Sequence, residues 1–266
     1  MNKTELAEVF DDEQARYDEY CELLVKRDQL FKEAGSYMTV YTAEFGDLIT
    51  ANFELKIECI KKKKMISYCR RRMNRGLSID ATRMQEEIEQ EMRLYYIQLK
   101  EMKADTENAK KAEGVGEYRY QRAKKIYRRL AKLLHPDINN KTMENETLKE
   151  LWTRIATAYQ RSDVDELDDL EVLVHKAMEE MGDDGFEIDF SDIEGRIERV
   201  ERQINDILTT EPYIYGEILN DDEKKAAFLE QLRAEHDDYE QYLEILTKSL
   251  EEMLNAGGVT LVWKMN

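Results

Sequence analysis

His135, Pro136 and Asp137 bring an imidazole, a rigid φ and a carboxylate together in a chain that has only two prolines among 266 residues. The imidazole can donate and accept, the ionised carboxylate only accepts, and the pair suits polar recognition. Proline removes a backbone donor and stops a helix, so its neighbours are presented in one geometry. No comparable group stands elsewhere. His175 and His236 lack companions at metal-ligand spacing and read as ordinary helix residues. Cys21, Cys59 and Cys69 form neither a metal pattern nor a disulfide framework. Cys69 precedes Arg70, Arg71 and Arg72, which could lower its thiol pKa, although burial on an apolar stripe is the favoured reading. Phosphate loops, dinucleotide fingerprints and nucleophile elbows are missing from the sequence. No catalytic residue, cofactor or metal is therefore expected; the chemistry is recognition.

The elements around the tripeptide position it. On a helical wheel, Ala123, Ile126, Leu130 and Leu133 make the apolar side of residues 119–134. Arg122, Lys124, Lys125, Arg128, Arg129 and Lys132 occupy the rest. A polar loop, INNKTMENET, follows, and then LKELWTRIATAYQR places Leu148, Trp152, Ile155 and Tyr159 at steps of four, three and four. Two matched amphipathic helices joined by a loop pack antiparallel. That predicts His135-Pro136-Asp137 exposed at the tip of a helical hairpin. The plainer alternative is a helix stop with incidental polar neighbours.

This arrangement resembles the J domain of DnaJ-type co-chaperones, with a basic helix II, a His-Pro-Asp loop and a helix III of spacing F-x-x-I-x-x-A-Y. Here WTRIATAY supplies that spacing with Trp152 at the phenylalanine position. Lys124, Tyr127, Arg128, Arg129, Leu130 and Ala131 match the helix II run. The resemblance covers about residues 114–162. It implies docking on the ATPase domain of a DnaK-type heat-shock chaperone and stimulation of its ATP hydrolysis. The implied partner-binding residues are His135, Pro136, Asp137, Lys124, Tyr127, Arg128 and Arg129. An arginine of the partner would suit Asp137, and an acidic groove would suit the cations. The family's short helix I has no counterpart just upstream, so residues around Tyr95 to Met102 are expected to cover the hairpin instead. Asp163 and Glu166 read as a capping box opening a further helix. Without a Gly/Phe-rich linker or zinc module, the chain is similar to the minimal third class of these co-chaperones.

The rest of the chain reads as helix. Few turn residues and 37% charge point to long helices, and 42% hydrophobic content favours thin helical layers. One stripe runs Leu6, Phe10, Tyr17, Cys21, Leu24, Phe31; Ala34-Gly35-Ser36 then punctuates, with Ser36 as N-cap of a second helix ending at Arg75-Gly76. A third helix begins near Ser78 or Asp80. Ile193 to Ile207, Pro212, and Leu232 to Met253 predict a C-terminal αα-hairpin. The expected fold is all-α, with an antiparallel helical region over 1–112, the J-like domain over 113–180, an acidic linker over 181–191 and a helical hairpin over 192–266. Residues 185–190 and 258–265 are the only strand-like stretches.

Net charge is −18 but unevenly spread, ~+3 over residues 1–136 and ~−21 beyond. Lys61, Lys62, Lys63 and Lys64 with Arg70, Arg71 and Arg72 are candidate polyanion contacts. The alternatives to a co-chaperone are therefore a nucleic-acid-binding helical protein, disfavoured by the acidic half, and a coiled-coil scaffold whose J-like domain is retired. The two basic blocks, residues 56–75 and 110–132, could instead face the acidic C-terminal region. The helical seams are open to self-association. No apolar run of bilayer length and no apolar signal core is present, so a cytoplasmic, membrane-free protein is expected.

Overall fold

A computed structural model of the chain describes residues 3–112, 116–182 and 192–256. Among them are nine α-helices and no strand, as the all-α expectation required. They are α1 (Lys3–Asn74), α2 (Ala81–Lys111), α3 (Glu117–Leu134), α4 (Lys141–Glu144), α5 (Glu146–Gln160), α6 (Val164–Met181), α7 (Ile193–Thr209), α8 (Tyr215–Leu219) and α9 (Asp222–Ala256). Both strand-like stretches, and all but the first two residues of the expected acidic linker, lie outside the described residues. None of the described helices is long and apolar enough to cross a membrane.

The expected break at residues 34–36 does not occur. A lone glycine costs a helix only about 1 kcal/mol relative to alanine, and proline is absent from this stretch. Ser36 does not cap a new helix; its hydroxyl donates back to the Lys32 carbonyl at 3.2 Å, as a mid-helix serine does. The stop after Asn74 follows expectation. Gly76 takes φ +65°, and the Asp80 carboxylate accepts from the Arg83 N–H at 3.0 Å to open α2.

Contacts divide the chain into two compact units, Met1–Tyr37 with Glu113–Ile214 and Met38–Ala112 with Tyr215–Asn266. This differs from the expected grouping, because α1 contributes to both. In the first unit α3 and α5 lie antiparallel, with Tyr127 stacked on Tyr159 at 3.9 Å and His135 edge-on to Trp152 at 4.8 Å. α6 returns along both, and Leu130, Leu134, Leu148, Ile155, Leu167 and Leu170 are fully buried between them. The side chains of Leu6 and Phe10 lie outside the described ones. Tyr17, Tyr20, Cys21 and Leu24 pack with Ile197, Val200 and Ile204 of α7. The apolar stripe of α7 is thus satisfied by α1, and α7 and α9, expected as one hairpin, fall in different units.

In the second unit α2 runs antiparallel to the later part of α1. Lys61 pairs with Glu89 at 2.8 Å, Lys103 with Glu54 at 2.9 Å and Lys110 with Asp47 at 2.6 Å. α9 runs parallel to the same stretch: Lys225 meets Glu44 at 2.6 Å, and the Asn52 amide donates to the Leu232 carbonyl at 2.8 Å. Ile57, Cys69, Met84, Met92 and Leu250 form its interior. Gly46 lets α1 and α2 approach closely, since a Cβ there would stand 2.6 Å from Thr106 Oγ1, itself bonded to the Met102 carbonyl at 2.9 Å. Gly46→Ala should therefore destabilise the fold by about 1–3 kcal/mol in urea unfolding. Gly35→Ala meets nothing within 4 Å and should stabilise it by about 0.5–1 kcal/mol.

Candidate functional site

α3 stops where proline requires it to. His135, the C-cap, has extended backbone (φ −60°, ψ 127°), the conformation imposed on a residue preceding proline. Its N–H still donates to the Ala131 carbonyl at 2.8 Å, and its own carbonyl accepts from Ile138 and Asn139, both at 2.8 Å. Asn139, fully buried, ties the corner from within: its amide donates to the Leu133 carbonyl at 3.0 Å and its oxygen accepts from the Lys141 N–H at 3.0 Å. Asn145 then caps α5 by accepting from the Thr147 and Leu148 N–H groups.

The tripeptide is not exposed as a unit. His135 is 5% exposed and Tyr127 is 3% exposed, whereas the Asp137 side chain is 48% exposed. The covering element is α1, not the predicted end of α2. Asp28 is its centre. Its carboxylate accepts from the Tyr127 hydroxyl at 2.6 Å and from Arg27 Nε and Nη2 at 3.0 and 2.9 Å, and stands 3.5 Å from His135 Nε2. His135 Nδ1 accepts the Asp137 N–H at 3.1 Å, and its Nε2 lies between Asp28 and Arg27 Nη2, 3.3 Å from the latter. Arg27 also reaches Asp137 at 3.4 Å and Gln203 of α7 at 3.2 Å. Burial pushes the Asp28 carboxyl up, but the His135 bond, the Arg27 charge and the Tyr127 hydroxyl outweigh it and hold it below the usual carboxylate range. Burial and Asp28 together push the Tyr127 phenol up.

The cations of α3 are largely paired within the unit. Arg128 and Lys132 both meet Glu22 of α1, at 2.5 and 3.2 Å. Arg129 meets Glu171 at 2.6 Å, Arg122 meets Asp168, and Arg119 meets Asp165 at 3.4 Å. Arg128 and Arg129 nevertheless keep about half their side chains in solvent. Lys124 is half-buried, Lys125 is exposed and Pro136 is half-buried. Of the predicted contacts, the structure thus leaves Asp137, Arg128 and Arg129 on the surface and takes His135 and Tyr127 inside.

Lys32 fastens the same face of α1 one turn later. It is 6% exposed, and its ammonium donates to the Tyr159 carbonyl and to Ser162 Oγ, both at 2.6 Å, beneath the Tyr159 ring. Ser162, at φ 51°, closes α5 in a conformation that L residues adopt at a cost of about 1 kcal/mol. Asp163 then caps α6, accepting from the Glu166 N–H at 3.3 Å. Only that half of the expected capping box forms: the Asp163 N–H goes to Ala158, and Glu166 turns to Arg154 at 2.6 Å.

Glu22, Arg27, Asp28 and Lys32 were not singled out from sequence. Their signal was nevertheless there. Tyr17, Cys21 and Leu24 continue at helical steps to Asp28 and Lys32, so two ionisable groups stand where the stripe predicts apolar ones. The predicted Phe31 is instead 65% exposed.

The basic block over residues 56–75 does not form one polyanion surface. Lys61 is held by Glu89 and Tyr96, Lys64 by Glu91, and Lys63 lies 4.9 Å over the Tyr242 ring. Lys62 is half-buried, with burial pushing its pKa down. Arg70 and Arg71 remain exposed at the end of α1, and Arg72 donates to the Ser78 carbonyl at 2.9 Å. Cys69 is fully buried beside Met84, and burial raises its thiol pKa, contrary to an arginine-activated thiol. His175 is exposed on α6, and His236 contacts Asn52 at 2.9 Å.

Burial pushes the Lys32 ammonium down to about 8. Between that value and the ordinary lysine range near 10.4 the unfolded chain binds more protons, so this group's contribution to stability rises with pH there and is constant below. Urea unfolding of wild type and Lys32→Met at pH 7, 8, 9 and 10 should show wild type gaining on the variant only above about pH 8.

Set against protein-family models, curated proteins and solved structures, the chain shows no match, so the corner's geometry and its likeness to the J-domain pattern are the grounds for a functional reading.

Proposed function

We propose that the α3–α5 corner binds a DnaK-type chaperone and stimulates its ATP hydrolysis, as the J-domain likeness implies. The observation that carries the reading is an antiparallel helical pair whose corner turns Asp137 to solvent beside a flank bearing Lys125, Arg128 and Arg129. An exposed carboxylate next to exposed cations suits a partner that offers an arginine beside an acidic groove. His135 takes a positioning role: it accepts the Asp137 N–H and packs on Trp152, which orients the aspartate. No bond in this chain is made or broken; the hydrolytic chemistry is the partner's.

The burial of His135 favours a second reading, in which the hairpin is a packing element of a helical scaffold and has lost the chaperone contact. A single-turnover ATPase assay with a DnaK-type chaperone separates the two. The co-chaperone reading expects acceleration by wild type, and at least about ten-fold loss with Asp137→Asn or His135→Gln, the scale of one charge-assisted contact. Circular dichroism should show unchanged helicity in both variants. Equal rates with wild type and both variants would eliminate it in favour of the scaffold.

A further inference from the structure

The contacts that α1 makes across the corner have the same chemistry as those sought from the partner. Glu22 supplies a carboxylate to Arg128 and Lys132 of the basic helix. Arg27 supplies a guanidinium to Asp137. Asp28 takes the histidine ring, and Val25 enters the apolar interior beneath it. Glu22, Val25 and Asp28 follow at helical spacing along one stretch of α1 with Arg27 beside them, so they approach together and would leave together.

We infer that residues 16–32 of α1 are a built-in competitor for the chaperone-binding surface, occupying it with an arginine and an acid arranged as the partner's would be. This rests on the co-chaperone reading and adds that the surface is closed until α1 shifts. Two features make the closure reversible. Glu22, Arg128 and Lys132 each keep at least 40% of their side chains in solvent, where ion pairs are weak. The Arg27–Asp137 pair is long, at 3.4 Å, with the aspartate half exposed. A chaperone offering shorter pairs could therefore displace the outer contacts first. The buried Asp28–His135–Tyr127 cluster and the Lys32 anchor set the resting state. When only a fraction of molecules is open, the apparent dissociation constant is the intrinsic one divided by that fraction.

The test uses the full chain with Glu22→Lys and Arg27→Glu together, which reverses both outer contacts, also takes the guanidinium from Asp28, and leaves α3 and α5 unaltered. Hydrogen exchange over residues 127–140 should quicken in the variant. The chaperone concentration for half-maximal ATPase stimulation should fall by about ten-fold, as expected when a mostly closed state is opened. His135→Gln placed in that background should abolish the gain. Should the corner open while variant and wild type stimulate alike, the competitor is overturned and the co-chaperone reading survives. Should the corner open and neither protein stimulate, the co-chaperone reading itself fails and the competitor falls with it. Unchanged exchange in the variant also overturns the inference, because these pairs would not be what holds α1 down. Wild type alone gives an independent arm. Exchange over residues 16–32 should rise when the ATP-loaded chaperone binds, and equal protection in free and bound protein overturns the proposal whether or not the variant folds.

Discussion

A single carboxylate joins the first helix to the histidine corner. Asp28 is surrounded by the Tyr127 hydroxyl, the Arg27 guanidinium and the His135 ring, so a charge that would be costly in an apolar interior is compensated on three sides. The cluster is interdependent. Tyr127 stacks on Tyr159 and needs a partner for its hydroxyl; His135 packs on Trp152 and needs one for Nε2; Arg27 bridges from Asp28 to Asp137 and on to α7. Removing the acceptor would strand a phenol, an imidazole and part of a guanidinium in one step, and stranded buried donors cost more than the net worth of the bonds they made.

Given this tie, the rest of the first unit follows. α1 must lie along α3, which brings Glu22 to Arg128 and Lys132 and Lys32 to the end of α5. The opposite flank of α3 faces α6, whose Asp165, Asp168 and Glu171 meet Arg119, Arg122 and Arg129. A strongly basic helix is thereby packed between two sources of negative charge. What it offers outward is a set of half-exposed cations beside one exposed aspartate. The co-chaperone and scaffold readings share these coordinates and differ in whether a partner docks on that outward face.

The second unit shows how differently two basic runs can be used. Lys61, Lys63 and Lys64 are absorbed by α2 and α9, through Glu89, Tyr242 and Glu91, and so act as struts of a three-helix arrangement. The arginines that follow lie near the end of α1, where cations also complement the helix dipole. A basic block in sequence is therefore not a basic patch in space.

Local physics was legible without coordinates. The stop at Pro136, the cap at Asp163, the glycine stop at Gly76, a helix start near Asp80 and most of the apolar faces of α3 and α5 follow from short-range rules, although Leu133 and Trp152 are only partly buried. Periodicity says which face of a helix is buried but not what covers it, because the covering element is a long-range choice. Tertiary packing alone decided that α1 rather than α2 covers the hairpin and that α7 and α9 part into different units. It also decided the fate of the histidine. Read from one strand of text, His135 sits at a polar turn and belongs outside. The acid that draws it inside lies more than a hundred residues away, and only folding brings Asp28 within reach of its ring.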